Sequence, residues 1–164
     1  MISKIDHEQF LKNETVNIKA LLQEIAEDFQ EHLSTKNIRL YMQHLDEFEI
    51  QNANRTLLYT LFSNIITNAI KYNVENGQID ISATKQSNVF VVAIRDTGVG
   101  IAKENLTHIF DRFKKFNKST EPSFGLGLAI VKTISDFHRL NLHVESEANK
   151  GTTFRVEFPI EPFT

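Results

Sequence analysis

The chain has 164 residues, a formal net charge of −3 and 41% apolar residues, enough for a single domain with a substantial core. It has no basic run of the kind that nucleic acid binding requires and no cysteine for disulfides or thiolate metal sites. It also lacks the apolar run of roughly 18 residues that spans a bilayer. We therefore expect a soluble domain that neither binds nucleic acid nor inserts into a membrane.

The first elements alternate between strands and an amphipathic helix. Residues 1–14 carry alternating charge with isolated apolar side chains and are predicted to form a short helical lead-in. A strand is predicted over Thr15–Ile18, and apolar residues at spacings of three and four predict a helix from Ile18 to Ser34. Two short strands are predicted at Ile38–Gln43 and Glu47–Gln51. The helix is expected to cover one face of a sheet.

The next helix carries two polar residues in an apolar pattern. Asn52 or Asn54 can cap a helix that runs to about Tyr72. Asn64 and Asn68 are four residues apart, so they share one face of that helix. A buried amide without a hydrogen-bond partner costs about 1–3 kcal/mol. A bound ligand would supply the missing partners.

The second half of the chain contains two hairpins and a third helix. A polar stretch without clear periodicity, rich in lysine, is predicted to be a mobile loop between them. In chain order, the predicted elements are strands Gln78–Lys85 and Val89–Arg95, a short helix Lys103–Phe110, the loop Asp111–Phe124, a helix from Gly125 to about His138, and strands Leu142–Glu147 and Thr152–Phe158.

These elements predict an α+β fold, a two-layer α/β sandwich. Three main helices are expected to pack on one face of a mixed, largely antiparallel five-stranded sheet. A regular βαβ alternation is absent from the pattern, which argues against a doubly wound nucleotide-binding fold.

Two glycine pairs stand at junctions that lead into helices. They are Gly98 with Gly100 and Gly125 with Gly127, and neither completes a P-loop or a Gly-x-Gly-x-x-Gly fingerprint. Backbone amides at the start of the helix near Gly125 form a potential site for phosphate oxygens. A glycine pair on its own is equally consistent with close packing.

Asp96 ends an otherwise apolar strand, so its carboxylate is expected to be semi-buried and to need a donor. The exocyclic amine of adenine is one candidate. The alternative is an Asx turn, in which Asp96 accepts from the amide of Gly98 or Val99. The residues alone leave both open.

Five motifs in order make the pattern specific. They resemble the asparagine box, first glycine box, phenylalanine box, second glycine box and closing Gly-Thr motif of bacterial two-component sensor histidine kinases. The resemblance covers about Thr15 to Pro159 and implies their catalytic ATP-binding domain, which has the Bergerat fold. The motifs are Asn64-x-x-x-Asn68-Ala69-x-Lys71-Tyr72, Asp96-Thr97-Gly98-Val99-Gly100-Ile101, Ile109-Phe110-Asp111-Arg112-Phe113, Gly125-Leu126-Gly127-Leu128-Ala129-Ile130-Val131 and Gly151-Thr152-Thr153-Phe154.

The resemblance implies ATP and Mg²⁺ as cofactors. It makes Asn68 the metal ligand, and an amide oxygen is a hard ligand that magnesium accepts. It makes Asn64, Lys71 and Arg112 the catalytic residues, with the loop Asp111–Phe124 as an ATP lid. The implied ATP-binding residues are Asn64, Asn68, Lys71, Tyr72, Asp96, Gly98, Gly100, Ile101, Phe110, Arg112, Gly125, Leu126, Gly127, Leu128 and Thr153.

The chain departs at two places from the pattern of the proteins that it resembles. Asn64 stands where ATP-hydrolysing members such as gyrase usually have a glutamate that activates water. That difference favours transfer of the γ-phosphoryl group to a protein over hydrolysis. Ser123-Phe124 stand where many members have a further glycine, so the lid boundary is less well defined.

We expect the phosphoacceptor histidine, which such kinases carry on a helical hairpin, to lie outside this chain. His7-Glu8 superficially resembles such a site, but two helices do not fit before the strand near Thr15. We therefore expect residues 1–14 to be the end of a preceding dimerisation hairpin or a linker, and residues 15–164 to be the catalytic domain.

The expected partners are the parent's own dimerisation and histidine-phosphotransfer domain and a response-regulator receiver domain. The isolated domain is expected to be monomeric, and the parent a homodimer anchored in the inner membrane with this domain in the cytoplasm. Two alternatives remain open. One is a serine kinase of the anti-sigma-factor type, and the other is a nucleotide-binding interaction module without kinase activity.

Overall fold

The computed structural model describes residues 10–106, 108–110 and 122–160, with side chains of the last range from residue 127 onward. Seven strands and five helices lie in these ranges. The strands are β1 (Glu14–Asn17), β2 (Arg39–Leu45), β3 (Glu49–Ala53), β4 (Gln78–Lys85), β5 (Val89–Asp96), β6 (Asn141–Glu147) and β7 (Gly151–Pro159). The helices are α1 (Ile18–Asp28), α2 (Gln30–Thr35), α3 (Arg55–Lys71), α4 (Lys103–Leu106) and α5 (Pro122–Phe137).

The main sheet is mixed and five-stranded, in the order β2-β4-β5-β7-β6. Its β2 runs parallel to β4, and the other neighbours are antiparallel. Strands β1 and β3 form a separate antiparallel pair. Helices α1, α3 and α5 cover one face of the main sheet, so the predicted two-layer α/β sandwich is confirmed.

The core lies between the helices and the inner face of the sheet. Successive strand residues point to opposite faces. The inner face of β5 and β7 contributes the buried residues Phe90, Val92, Ile94, Phe154, Val156 and Phe158. Phe158 of β7 lies at the centre of an aromatic cluster, with ring centroids 6.1 Å from Phe90 and 6.3 Å from Phe62 of α3. This packing fixes α3 against the sheet.

Both ends of α3 are held by polar side chains from outside the helix. At the N-terminal end, Asn54 is the cap, and its Oδ1 accepts from the Leu57 amide at 3.0 Å. At the C-terminal end, Lys36 Nζ donates to the carbonyl oxygens of Ile70, Lys71 and Asn73 at 3.0, 2.6 and 3.3 Å. A cation there satisfies free carbonyls and complements the helix dipole.

Several predicted boundaries differ from the structure. The helix predicted over Ile18–Ser34 is two helices, because the backbone leaves helical geometry at Phe29 (φ −100°, ψ 8°). The helical lead-in is absent over residues 10–13, and residues 1–9, with His7, lie outside the described residues. The short helix predicted to Phe110 ends at Leu106, and residues 108–110 form a turn.

Helix α5 begins at Pro122, three residues before the predicted Gly125. Proline suits the first turn of a helix because its missing N–H would have no intrahelical partner there. The rest of the predicted lid, residues 111–121, lies outside the described residues. In the described ranges, no helix is both long and apolar enough to cross a membrane.

Candidate functional site

The last two turns of α3 carry the first group of predicted site residues. Asn68 is buried at 8% exposure, and its Nδ2 has no hydrogen-bond partner within the described part of the chain. Asn64, one turn earlier, is half-buried. Lys71 Nζ lies 6.0 Å from the ring centroid of Tyr72. A buried amide hydrogen without an acceptor is unfavourable, so Asn68 marks this surface as one that a ligand would complete.

Asp96, at the end of β5, forms the second group with the residues that follow it. Its side chain is 8% exposed, and its Oδ1 accepts from the Gly98 amide at 2.8 Å. Burial raises the pKa of Asp96 to about 6, while hydrogen bonds from the backbone amides of Gly98 and Thr152 oppose that rise. The Asx turn is therefore present. Two carboxylate oxygens have about four acceptor positions, so Asp96 can still accept from a ligand.

The first glycine pair packs against the C-terminal end of α3. The Val99 amide donates to the carbonyl oxygen of Tyr72 at 3.0 Å, and a Cβ added at Gly98 would clash with that same oxygen. Gly100 has φ +73°, and a Cβ there would clash with the carbonyl oxygen of Glu147. Both positions therefore require glycine. These contacts bring the two groups of predicted residues together as one wall.

Strand β6 and the turn after it support the other side of that wall. The Ile101 amide donates to Ser146 Oγ at 2.7 Å, and the Asn149 amide donates to the Val99 carbonyl at 2.6 Å. The Phe110 ring lies edge-on to Phe154, with centroids 6.4 Å apart. Ile101 and Phe110 are partly buried and pack against the hydrophobic core.

Thr153 and Thr152 lie on opposite faces of the sheet. In the β5–β7 register, Asp96 pairs with Thr152 and Arg95 pairs with Thr153. Paired residues share a face, so Thr152 lies on the buried face with Asp96, whereas Thr153 lies on the outer face with exposed Arg95. The structure therefore brings Thr152 to Asp96 and does not bring Thr153 there. The sequence did contain a signal for this, because Thr152 is two residues from the apolar Phe154 and therefore lies on the same face of the strand.

The second glycine pair lies in the first turns of α5. A Cβ added at Gly127 would meet no atom within 4 Å, so open space adjoins this position. Leu128 is fully buried, which makes its side chain a core residue and leaves only its backbone for a ligand. The backbone of Gly125 and Leu126 lies in α5. Arg112 lies outside the described residues.

Asn73 is a buried residue near the site that the sequence pattern did not single out. Its Nδ2 donates to the Gln78 carbonyl at 3.2 Å, and its Oδ1 accepts from Thr97 Oγ1 at 3.0 Å and from the Val74 amide at 2.8 Å. It therefore ties the end of α3 to β4 and to the segment after Asp96. Asn73 stands one turn beyond the last apolar residues on the buried face of α3. A polar residue at such a position was the signal that could have identified it.

Comparison with known proteins places these features in a family. Residues 53–162, about two thirds of the chain, match the family described as histidine kinase-, DNA gyrase B-, and HSP90-like ATPase. The sensor histidine kinase RppB of Synechocystis is 37% identical over 144 residues, which are 85% of this chain and 32% of RppB. The heme sensor protein HssS of Staphylococcus saprophyticus is 34% identical over 165 residues, 100% of this chain and 35% of HssS.

A solved structure agrees with the sequence relatives. Histidine kinase ThkA in complex with response regulator protein TrrA matches with a TM-score of 0.76 and 26% identity, over 98% of this chain and 46% of that chain. The chain spans about a third of the length of the two curated relatives. The similarity to those proteins therefore concerns one of their domains.

Proposed function

This chain belongs to the histidine kinase-, DNA gyrase B- and HSP90-like ATPases and corresponds to the ATP-binding catalytic domain of a sensor histidine kinase, and from this premise we propose how its residues act. We propose that the chain binds Mg-ATP and presents the γ-phosphoryl group to a histidine on a separate domain of the parent protein. The observation that carries the proposal is the buried Asn68 amide without a partner, on the helix end against which the Asp96 segment packs.

The described residues fit an adenine nucleotide. Asp96 has free acceptor capacity on the buried face, and Thr152 lies beside it, so together they suit the exocyclic amine of adenine. We propose Thr152 for this role in place of Thr153. Gly98 and Gly100 supply a surface without side chains, and Ile101 and Phe110 supply its apolar support, which suits a flat base.

The helix ends fit the phosphates and the metal. Helix α5 begins at Pro122, and open space adjoins Gly127 in its second turn. Amide groups at a helix N-terminus favour anions. We propose that the backbone of Gly125, Leu126, Gly127 and Leu128, with Lys71, Tyr72 and Arg112, binds the triphosphate and sugar. We propose Asn68 as the protein ligand of Mg²⁺ through its amide oxygen, with Asn64 beside it, because Mg²⁺ is often held by one or two protein oxygens plus phosphates.

The chemistry required of these residues is positioning and charge neutralisation. Mg²⁺, when bound, neutralises the negative charge that develops on the phosphates during transfer. Lys71 and Arg112 would add positive charge at the same place, while Asp96 and Thr152 fix the base and so the direction of the triphosphate. Asn64 is a neutral amide that cannot accept a proton from water, which favours transfer over hydrolysis.

We propose that residues 1–14 connect this domain to a preceding dimerisation hairpin that carries the acceptor histidine. A response-regulator receiver domain is the proposed second partner, supported by the ThkA–TrrA complex named above. The proposed arrangement is a homodimeric parent anchored in the inner membrane, with this domain, itself monomeric, on the cytoplasmic side.

A phosphotransfer assay tests this function. The chain alone, and the chain with the preceding ~60–80 residues of its parent, about one small helical domain, are incubated with γ-labelled Mg-ATP. We expect acid-labile, alkali-stable phosphate on the longer protein, none on the chain alone, and none on either when Asn68 is replaced by alanine. Acid-stable label on a serine of a partner protein would instead assign a serine kinase. Nucleotide binding without any transfer would assign a binding module.

A further inference from the structure

Ser146 is a half-buried hydroxyl near the end of β6, behind the first glycine pair. Its Oγ lies 2.7 Å from the Ile101 amide, 2.9 Å from the Gly151 carbonyl oxygen and 2.8 Å from Thr152 Oγ1. A serine hydroxyl donates one hydrogen bond and accepts two. Donation to Gly151, with acceptance from Ile101 and Thr152, uses its whole capacity. Ser146 therefore has nothing left to offer a ligand directly.

The three groups that Ser146 contacts belong to both segments around Asp96. Ile101 follows the glycine pair that closes one side of the site, and Thr152 lies opposite Asp96 in the sheet and donates its backbone amide to that carboxylate. The other contacts that hold the glycine pair to the β6–β7 turn are made by backbone, such as the Asn149 amide on the Val99 carbonyl. Ser146 supplies a side-chain contact between the same two segments.

We propose that Ser146 is a positioning residue for the base of the bound nucleotide. It fixes the Ile101 amide and the Thr152 hydroxyl relative to Asp96, and so sets the width and the direction of the adenine site. This inference rests on the proposed function, since it assigns a means of positioning to the same site. Ser146 acts through Ile101 and Thr152 and does not touch the nucleotide.

Loss of the hydroxyl has a local consequence. Without Oγ, the Ile101 amide, the Gly151 carbonyl and the Thr152 hydroxyl each lose a partner in a half-buried region. The β6–β7 ladder is made by backbone hydrogen bonds and remains, so the domain still folds. Nucleotide affinity should therefore fall further than the loss of stability alone would explain.

The chain offers a matched control at Ser135. This serine is 1% exposed, and its Oγ donates to the Leu140 carbonyl at 3.1 Å. It lies on α5 about 12 Å along the helix from Gly127, at about 1.5 Å per residue. Ser135→Ala thus removes a buried serine hydroxyl hydrogen bond without touching the proposed site.

The test compares Ser146→Ala, Ser146→Thr and Ser135→Ala in the chain. We expect Ser146→Ala to raise the Kd for a Mg-bound non-hydrolysable ATP analogue about tenfold, which corresponds to about one net hydrogen bond. Ser146→Thr retains the hydroxyl and should restore binding, and Ser135→Ala should leave Kd unchanged. Amide hydrogen exchange should accelerate at Ile101 in Ser146→Ala only.

Four outcomes overturn the inference. If folded Ser146→Ala binds the nucleotide as tightly as wild type, Ser146 does not position the base. If Ser135→Ala weakens nucleotide binding equally, the effect of Ser146→Ala is general destabilisation. Unchanged exchange at Ile101 contradicts the proposed contact itself. The fourth outcome is a wild-type protein that binds no nucleotide, in which case the proposed function and this inference both fail. When wild type does bind, the other three outcomes contradict this inference alone and leave the proposed function intact.

Discussion

The two ends of α3 each carry an asparagine, and only one of them is satisfied within the protein. Asn54 at the N-terminal end accepts from the Leu57 amide, donates from Nδ2 to the Leu11 carbonyl at 2.9 Å, and donates from its backbone amide to His138 Nε2 at 3.0 Å. Asn68 at the other end is as enclosed as a core residue, yet its Nδ2 has no partner in the described ranges.

The contrast separates structural from functional polar residues. Asn54 completes the helix and binds the incoming segment around Leu11, so its hydrogen bonds are part of folding. Asn68 brings an unfavourable buried amide that folding alone does not explain, and such exceptions often mark binding sites. Residue type and helix are the same at the two ends. Their hydrogen bonds within the protein distinguish them.

Replacing each asparagine by alanine should give opposite results, and this is the largest effect we expect. Asn68→Ala should weaken Mg-ATP analogue binding at least about 100-fold, since even outer partners of a metal ligand change affinity about 10–100-fold. Its free energy of unfolding should change by less than about 1 kcal/mol, because the lost amide hydrogen had no partner. Asn54→Ala should lose about 1–2 kcal/mol of stability as a lost N-cap and keep wild-type affinity.

Calorimetric titration and urea unfolding of the two variants check this pair. Equal affinity loss in both variants, or a stability loss confined to Asn68→Ala, would remove the distinction between the two ends.

Asp96→Asn should be the next largest change, and it depends on pH. Burial raises the pKa of this acid from 3.8 to about 6, so the folded state binds more protons than the unfolded state between those values. The contribution of Asp96 to stability is therefore full below 3.8 and lost as pH rises through about 6. Asparagine removes that loss, so above pH 6 the variant should be more stable, by at most about 3 kcal/mol at about 1.4 kcal/mol per pKa unit.

Nucleotide affinity should move the other way. Only the carboxylate form accepts a hydrogen bond from the adenine amine with full strength, so the affinity of wild type for nucleotide should fall as the pH drops below about 6. Asp96→Asn should bind nucleotide about tenfold more weakly at pH 7.5, and its affinity should depend little on pH. Unfolding and binding curves from pH 5 to 8 measure both. Undiminished affinity in the variant would exclude Asp96 as the acceptor.

His138 gives the smallest expected effect and belongs to the satisfied end. Its Nε2 accepts from the Asn54 amide and its Nδ1 donates to the Ile134 carbonyl at 3.0 Å, an arrangement that requires the neutral ring. Burial lowers the pKa of His138, and the nearby Lys12 charge lowers it further. Stability from the neutral ring is therefore full above about 6.5, the ordinary pKa of histidine, and is lost as pH falls below it.

His138→Gln retains an acceptor but does not titrate. The stability advantage of wild type over this variant should shrink between pH 7.5 and 5.5, whereas their nucleotide affinities should remain equal at pH 7.5. Denaturant unfolding at several pH values measures this difference. A stability difference that does not change with pH would show that the fold does not hold His138 in its neutral form.

Local patterns were sufficient to predict much of the fold. The apolar spacing of α3, the alternation of β4 and the nearly continuous apolar run of β5 predicted those elements nearly to the residue. The break at Phe29 could not be predicted this way, because the apolar spacing continues through it. The early start of α5 at Pro122 lay within a polar stretch that has no period of its own.

The site was predictable only in part, because register is a long-range property. Motif spacing pointed to Asp96 and the glycines, but which threonine faces Asp96 depends on pairing between β5 and β7, more than 50 residues apart. Ser146 and Thr152 were both missed, although a local signal existed for each. Each lies on the inward-facing side of its strand, an even number of residues from apolar neighbours, so the alternation of faces along the strand would have selected both.

The magnesium dependence of nucleotide binding tests the central claim most directly. A non-hydrolysable ATP analogue is titrated into wild type, Asn68→Ala and Asn54→Ala, each with and without Mg²⁺, with folding checked by circular dichroism. We predict that Mg²⁺ tightens binding by at least about tenfold, about 1.4 kcal/mol, in wild type and in Asn54→Ala, and has no effect in Asn68→Ala. Well-folded wild-type protein that binds no analogue, or a Mg²⁺ effect that persists in Asn68→Ala, would contradict the account.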